Sequence, residues 1–234
     1  KNQICEWVFE KYERPANHDH LRSVQEVLSD IRFRKVNFDP KPLQDYWVEN
    51  KAKLLTKKFS GTDVYCMYNL FGSVTGRLTL DRNSLPILNM KKEYRAAIKP
   101  NNDFFMELDY NAAEARVVLA LSDKEQPNED IHEYHATNLY QSSRADAKKR
   151  FFAWLYNPNS EDSISSGQYD RDLILDRYRL YDSVETLFNR NIKCDDFHAF
   201  NYLIQSTCAD MVLDRMVSIF ELLKGRKSYI AFTL

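Results

Sequence analysis

Glycine and proline are scarce, five and seven in 234 residues, and no run of either marks a flexible linker. Collagen-like, low-complexity and disordered chains are thereby excluded. No internal repeat is visible. The four cysteines, Cys5, Cys66, Cys194 and Cys208, are widely spaced and form no C-x-x-C pair. That pattern speaks against a zinc site or a disulfide framework. It fits an intracellular, reducing compartment. No apolar stretch approaches about 18 residues, so neither a membrane span nor a membrane partner is expected. Charge of one sign is also lacking: 33 Lys and Arg face 34 Asp and Glu, for a net charge of −1. Any nucleic-acid contact must therefore come from local basic clusters. The chain opens Lys-Asn-Gln-Ile-Cys, without an initiator Met or a signal peptide, and is expected to be part of something longer.

What is present is apolar and aromatic: 44% of residues are hydrophobic, with 14 Tyr and 14 Phe. A sizeable core is within reach for a length equivalent to about one and a half ordinary domains. The spacing of Leu21, Val24, Leu28 and Ile31 predicts an amphipathic helix over 20–33, capped at Asn17 or Asp19. A second helix is expected over 43–58, and these first sixty residues carry no nameable chemistry. Val64–Tyr68 and Asp103–Asp109 read as strands, and the second runs directly into an Ala-rich helix over 112–121. Helices are expected over 131–140, 144–156 (ended by Asn157-Pro158), 169–187 with a break in it, and 197–223, stopped by Gly225. Residues 159–168 read as a polar, Ser-rich loop, and 228–234 as a strand. Long helices with scattered strands predict an α+β fold.

Two constellations carry chemistry. In Asp109-Tyr110-Asn111-Ala112-Ala113-Glu114-Ala115-Arg116 an aspartate stands where an apolar strand turns into a helix. A carboxylate projecting from such an edge suits a hard cation like Mg²⁺, which also keeps water and substrate phosphates as ligands. The plainer reading, a helix N-cap, is the commoner use of that residue. Further on, Arg144, Lys148, Phe152 and Tyr156 recur every four residues. On a helix they form one slowly drifting stripe about 18 Å long. Two cations followed by two aromatics match a nucleoside triphosphate, anionic at one end and flat at the other. A solvated basic face followed by core aromatics is the bland alternative.

Asp-Tyr-x-x-x-Glu-x-Arg followed by Arg-x-x-x-Lys-x-x-x-Phe-x-x-x-Tyr resembles motifs A and B of the family A (DNA polymerase I-type) DNA polymerases. Thr75-Gly76-Arg77-Leu78-Thr79, Asp130-Ile131-His132, Glu185-Thr186-Leu187-Phe188, and Phe200-Asn201 through Gln205-Ser206-Thr207 with Ala209-Asp210 resemble further family segments in the same order. The resemblance spans about 64–234. It implies a right-hand palm with an antiparallel sheet and helical fingers. It also implies template-directed DNA synthesis, transferring a nucleotide from a dNTP to a primer 3′-hydroxyl with two Mg²⁺ ions (Mn²⁺ as a substitute). Asp109 and the Tyr110 carbonyl are then metal ligands. Arg144, Lys148 and His132 hold the triphosphate, and Lys148 is the general acid to the leaving group. Phe152 and Tyr156 line the sugar–base pocket, and Glu114 is the gate that excludes a ribose 2′-hydroxyl. Arg77, Asn201 and Gln205, with Arg116, contact DNA; the minor groove near the primer terminus offers acceptors common to all base pairs.

Departures mark a divergent, phage-like member. Asn111 and Ala112 replace the family's usual Ser and Gln, no Gly follows Tyr156-Asn157, and Ser84-Leu85-Pro86 stands where Asn-Leu-Gln is typical. Phe197 occupies an expected Arg position, and the segment 157–182 is short. The resemblance divides the chain into 1–63 (a helical support or thumb remnant), 64–121 (palm), 122–196 (fingers) and 197–234 (palm again). Primer–template DNA and dNTPs are the implied partners, with a fused or associated exonuclease, primase or helicase left open. Within enzymes the rival is a single-subunit RNA polymerase, disfavoured by Glu114 and the Thr-Gly-Arg-Leu segment. Outside them the rival is a catalytically silent nucleic-acid-binding protein of the same fold. The second catalytic carboxylate of the family sits in a His-Asp turn after an apolar strand. The expectation is therefore that the native protein continues with His-Asp after Leu234, and that this chain alone does not extend a primer.

Overall fold

The computed structural model describes residues 18–233; Cys5, the cap proposed at Asn17 and Leu234 lie outside them. The chain forms two compact units. One comprises residues 18–73, 78–107 and the segment from 213; the other comprises 74–77 and 108–212. Both mix helices with small antiparallel sheets, an α+β composition.

The first, the sheet unit, opens with helix α1 (His18–Phe33). Its apolar face buries Val24, Val27, Leu28 and Ile31. Arg34 closes the helix with a bidentate pair to Asp30 one turn back (2.8 and 3.0 Å). Strand β1 (Lys35–Phe38) follows, then a 3₁₀ turn (Lys41–Tyr46) and helix α2 (Asn50–Phe59). One helix was expected over 43–58, and it is broken. Glu49 turns extended at the start of α2, where its carboxylate accepts the Tyr94 hydroxyl at 2.6 Å and pairs with Lys91. Tyr94 is fully buried, and a buried hydroxyl needs an acceptor, so tertiary demand overrides helix continuity.

Strands β2 (Val64–Tyr65), β3 (Tyr68–Asn69), β4 (Thr79–Leu80) and β5 (Ile98–Lys99) are short. The run expected over 64–68 is interrupted at Cys66-Met67. β1 is central, pairing Val36 with Val64 on one side and Phe38 with Ile98 on the other. β3 and β4 form a separate pair. The strands expected over 103–109 and 228–234 do not form among the described residues. Asn102 donates to the Lys227 carbonyl at 3.1 Å, and the Phe105 and Phe232 rings lie 6.2 Å apart. Without a backbone ladder an extended run is not a strand, and Phe104, Met106 and Leu108 stay about 70% exposed (70%, 74% and 68%).

The other, helical unit carries α3 (Ala113–Leu121), α4 (Ile131–Tyr134) continued by a π-helical turn (His135–Tyr140), and α5 (Arg144–Tyr156). These are followed by α6 (Ser163–Tyr169), α7 (Arg171–Tyr178), the hairpin β6 (Ser183–Glu185) with β7 (Asn191–Lys193), and the first half of α8 (Ala199–Leu223), whose residues from 213 belong to the sheet unit. The core is aromatic, built on Phe151, Trp154, Tyr169 and Phe200 with Leu119, Leu121 and Ile174. The loop expected over 159–168 contains α6. Asp162 caps that helix by accepting the Ile164 and Ser165 amides (3.1 Å each) while Arg150 grips the same carboxylate (2.5 and 2.9 Å). Capping and tertiary pairing thus order a polar sequence of weak propensity. The helix expected over 169–187 with a break in it is α7 alone. It starts after Asp170, held in the left-handed region at φ 37°, and gives way to the hairpin. Helix α8 runs on to Leu223, and Gly225 follows at φ 75°.

Candidate functional site

The stripe is a helix face as expected. α5 begins at an N-cap Ser143, whose hydroxyl accepts the Asp146 amide at 3.2 Å and donates to the Asp146 carboxylate at 2.7 Å, a reciprocal cap. Ala147, Phe151, Trp154 and Leu155 face the core, leaving Arg144, Lys148 and Tyr156 exposed and Phe152 half-buried. The Phe152 and Tyr156 rings stack, with centroids 5.8 Å apart and planes within 11°. Lys148 Nζ lies 6.0 Å from the Phe152 centroid.

The C-terminus of α5 lacks the expected glycine, and Arg171 does the capping instead. Its guanidinium donates to the carbonyls of Trp154, Asn157 (3.3 Å) and Pro158 (2.8 Å). It also lies over the Trp154 and Phe200 rings at 4.7 and 5.1 Å. A cation here complements the negative end of the helix dipole.

At the cationic end of the stripe, Asp130 organises two further groups. Its Oδ1 accepts the His132 and Glu133 amides (3.0 Å each), capping α4. The same carboxylate takes Arg144 bidentately, Nε at 3.0 Å and a terminal nitrogen at 2.8 Å. The Arg144 hydrogen bond, followed by the two backbone amides, holds the Asp130 carboxyl down at about 2, against a burial cost. His132 is buried and lies 5.6 Å from the Phe152 ring. Burial, and then the Lys148 and Arg144 charges, push its pKa down, with Asp130 opposing. Its ring stays neutral at neutral pH, and Nδ1 is buried without a partner among the described residues.

At the aromatic end, Glu114 on the first turn of α3 collects two donors. The Tyr156 hydroxyl donates to Oε2 at 2.5 Å, and Arg77 pairs with Oε1. Burial and the Glu114 carboxylate raise the Tyr156 pKa, so the phenol remains protonated. Arg77 is held by the Thr75-Gly76-Arg77 loop. There Thr75 offers its carbonyl to Arg190 at 3.0 Å. Gly76 sits at φ 78° with the Arg190 guanidinium where a Cβ would be, 2.6 Å away. Arg190 also pairs with buried Asp210 at 2.8 and 2.9 Å, and Thr186 donates to the same carboxylate at 2.9 Å. Asp210 is thus structural, tying the hairpin to α8.

The remaining expected residues fall as follows. Gln205 donates to Asn201 at 2.6 Å on α8. Burial pushes the thiol of Cys208, three residues on, up to about 12, with the Glu114 charge adding to the shift and Arg77 opposing it. Arg116 donates to the carbonyls of Asn111 (3.1 Å), Pro127 (2.9 Å) and Glu129 (3.0 Å), closing the loop before α4. Its guanidinium is engaged by backbone. Ser84, at the altered Asn-Leu-Gln position, is buried and accepts the Met67 amide at 2.9 Å. Asp109 and Tyr110 lie in exposed, irregular chain. Among the described residues no three His, Cys, Asp or Glu side chains group to hold a metal ion. Asp109 and the Tyr110 carbonyl are oxygen donors of the right chemistry, but they do not by themselves build a two-ion site.

Three groups beside the site were not legible in sequence. Asp130 was read only as part of a motif, Arg171 acts from a different helix, and His135 is fully buried. His135 Nε2 bonds the Tyr169 hydroxyl, and burial lowers its pKa to about 4. Among the described residues the cysteines are free thiols, and no helix is long and apolar enough to cross a membrane.

No protein-family model and no curated protein matches the chain. The likeness to family A polymerases therefore rests on the motifs themselves.

Proposed function

We propose that the chain is the palm-and-fingers part of a family A-type DNA polymerase, and that α5, with Glu114 and His132, is its deoxynucleotide-binding face. One observation carries this reading: Arg77, Glu114 and Tyr156 come from three separate motif segments and meet at one carboxylate. A chain using these residues as unrelated surface groups has no need to bring them together.

In this reading Arg144 and Lys148 neutralise the triphosphate, and neutral His132 backs them as a hydrogen-bonding group. Phe152 and Tyr156 flank sugar and base. Glu114, pinned by two donors, is a rigid obstacle where a ribose 2′-hydroxyl would enter. Rigid placement matters because a gate that swings aside discriminates little. Asp109 and the Tyr110 carbonyl are the donors assigned to Mg²⁺, an ion that would neutralise phosphate charge and activate the attacking hydroxyl.

The test is equilibrium binding of deoxy- and ribonucleoside triphosphates to the chain. Lys148→Ala is expected to weaken both by about tenfold or more, the loss of one charge-assisted contact. Glu114→Ala is expected to narrow the deoxy-over-ribo preference. Unchanged affinity in the first and unchanged preference in the second would overturn the reading.

A further inference from the structure

Resting on that reading, we infer that Asp130 is a positioning residue for the triphosphate end of the site, holding Arg144 and the His132-bearing turn in register through one carboxylate. The edge of Arg144 that Asp130 uses is the informative detail. Its two hydrogen bonds come from Nε and one terminal nitrogen, the side edge of the guanidinium. A guanidinium has five N–H donors in a fixed plane. Pairing along the side edge leaves the end edge, formed by the two terminal nitrogens, able to take a second bidentate acceptor in that plane. A phosphate is such an acceptor.

The other end of the carboxylate fixes the geometry. Oδ1 accepts two backbone amides of α4 as well as Arg144 Nε, so Asp130 cannot swing with the arginine. Arg144 is thus anchored to backbone at one remove, and His132, the residue after next, is placed by the same anchor. Among the described residues Lys148, one turn along α5, has no such tether. The arrangement lowers the conformational freedom that Arg144 must lose on binding, an ordering cost typically equivalent to a few-fold to tenfold in affinity per long side chain. A carboxylate that merely competed for Arg144 would act in the opposite sense, because its removal would free a cation and favour the anion.

The experiment uses the full chain, with inorganic tripolyphosphate and dATP as probes in equilibrium titrations. Asp130→Asn keeps an oxygen for the α4 amides and removes the charged fork. It is expected to weaken tripolyphosphate and dATP about three- to tenfold with an unchanged urea midpoint. In an Arg144→Ala background Asp130→Asn is expected to have no further effect. In a Lys148→Ala background its loss should persist, a coupling that a general structural role would not produce. Equal or tighter binding by Asp130→Asn, with Arg144→Ala still weakening it, would overturn the positioning role and leave the nucleotide site standing. Loss of equal size in both backgrounds would also overturn it. Failure of the unmutated chain to bind either probe would overturn both readings.

Discussion

Gly76 and Asp210 show at the residue scale how a motif can be part chemistry and part scaffold. The middle position of Thr75-Gly76-Arg77 is glycine for two physical reasons, a left-handed φ and a guanidinium 2.6 Å from where a Cβ would sit. An alanine there would incur about 1–2 kcal/mol of backbone strain and would also displace Arg190. Gly76→Ala is expected to lower stability by at least about 2 kcal/mol, read as a shift in the urea midpoint at constant m-value. It should also loosen Arg77 from Glu114. Asp210→Asn would leave a mostly buried Arg190 without its anion. Breaking such a pair costs about 3–5 kcal/mol, and a loss under about 1 kcal/mol would refute the buried-anchor role. Motif spelling alone gave Asp210 no role, since its partners Arg190 and Thr186 lie some twenty residues away and nothing in their own segment points to it.

Helix α5 was fully legible, from Arg144 to Tyr156, because a four-residue repeat of exposed chemistry alternates with a core repeat of Ala147, Phe151, Trp154 and Leu155. Its ending was not. The sequence lacks a C-terminal glycine, and the substitute is a guanidinium on α7 that only the folded chain delivers. Arg171→Met keeps the stem and removes the donors to three carbonyls. It is expected to cost about 1–3 kcal/mol and to alter Trp154 fluorescence, since the cation lies against that ring. Unaltered unfolding by urea would show that water replaces it without cost. The misread elements share a cause. Over 43–58 and 159–168 the local pattern was overridden by tertiary partners, Tyr94 for Glu49 and Arg150 for Asp162, whereas over 169–187 the expected break came where α7 gives way to the hairpin. Over 103–109 the pattern was strand-like, but a strand also needs a neighbour.

For the whole molecule, acid is the informative perturbant. His135 is buried and its pKa is lowered to about 4, and that of His132 is also lowered by burial. A histidine depressed in the folded state takes up protons preferentially when unfolded. The stability it confers is complete above its unfolded pKa of about 6.5 and is lost as pH falls towards 4. Unfolding midpoints are expected to fall across that window, by up to about tenfold in the folding constant per pH unit per histidine. The slope should flatten in His135→Gln, which can still meet the Tyr169 hydroxyl without titrating; an identical slope would assign the acid sensitivity elsewhere. The run at 104–108 has a different, colloidal consequence. Its unladdered backbone and solvent-facing Phe104, Met106 and Leu108 make a template on which another molecule of the same sequence can add. Asp103, Glu107 and Asp109 stand as like-charged sentries along it and keep approaching copies apart only as far as their fields reach. Added salt shortens that reach from about 10 Å at 0.1 M to about 3 Å at 1 M. Light scattering of concentrated solutions is therefore expected to climb with ionic strength, and to climb sooner in Glu107→Gln.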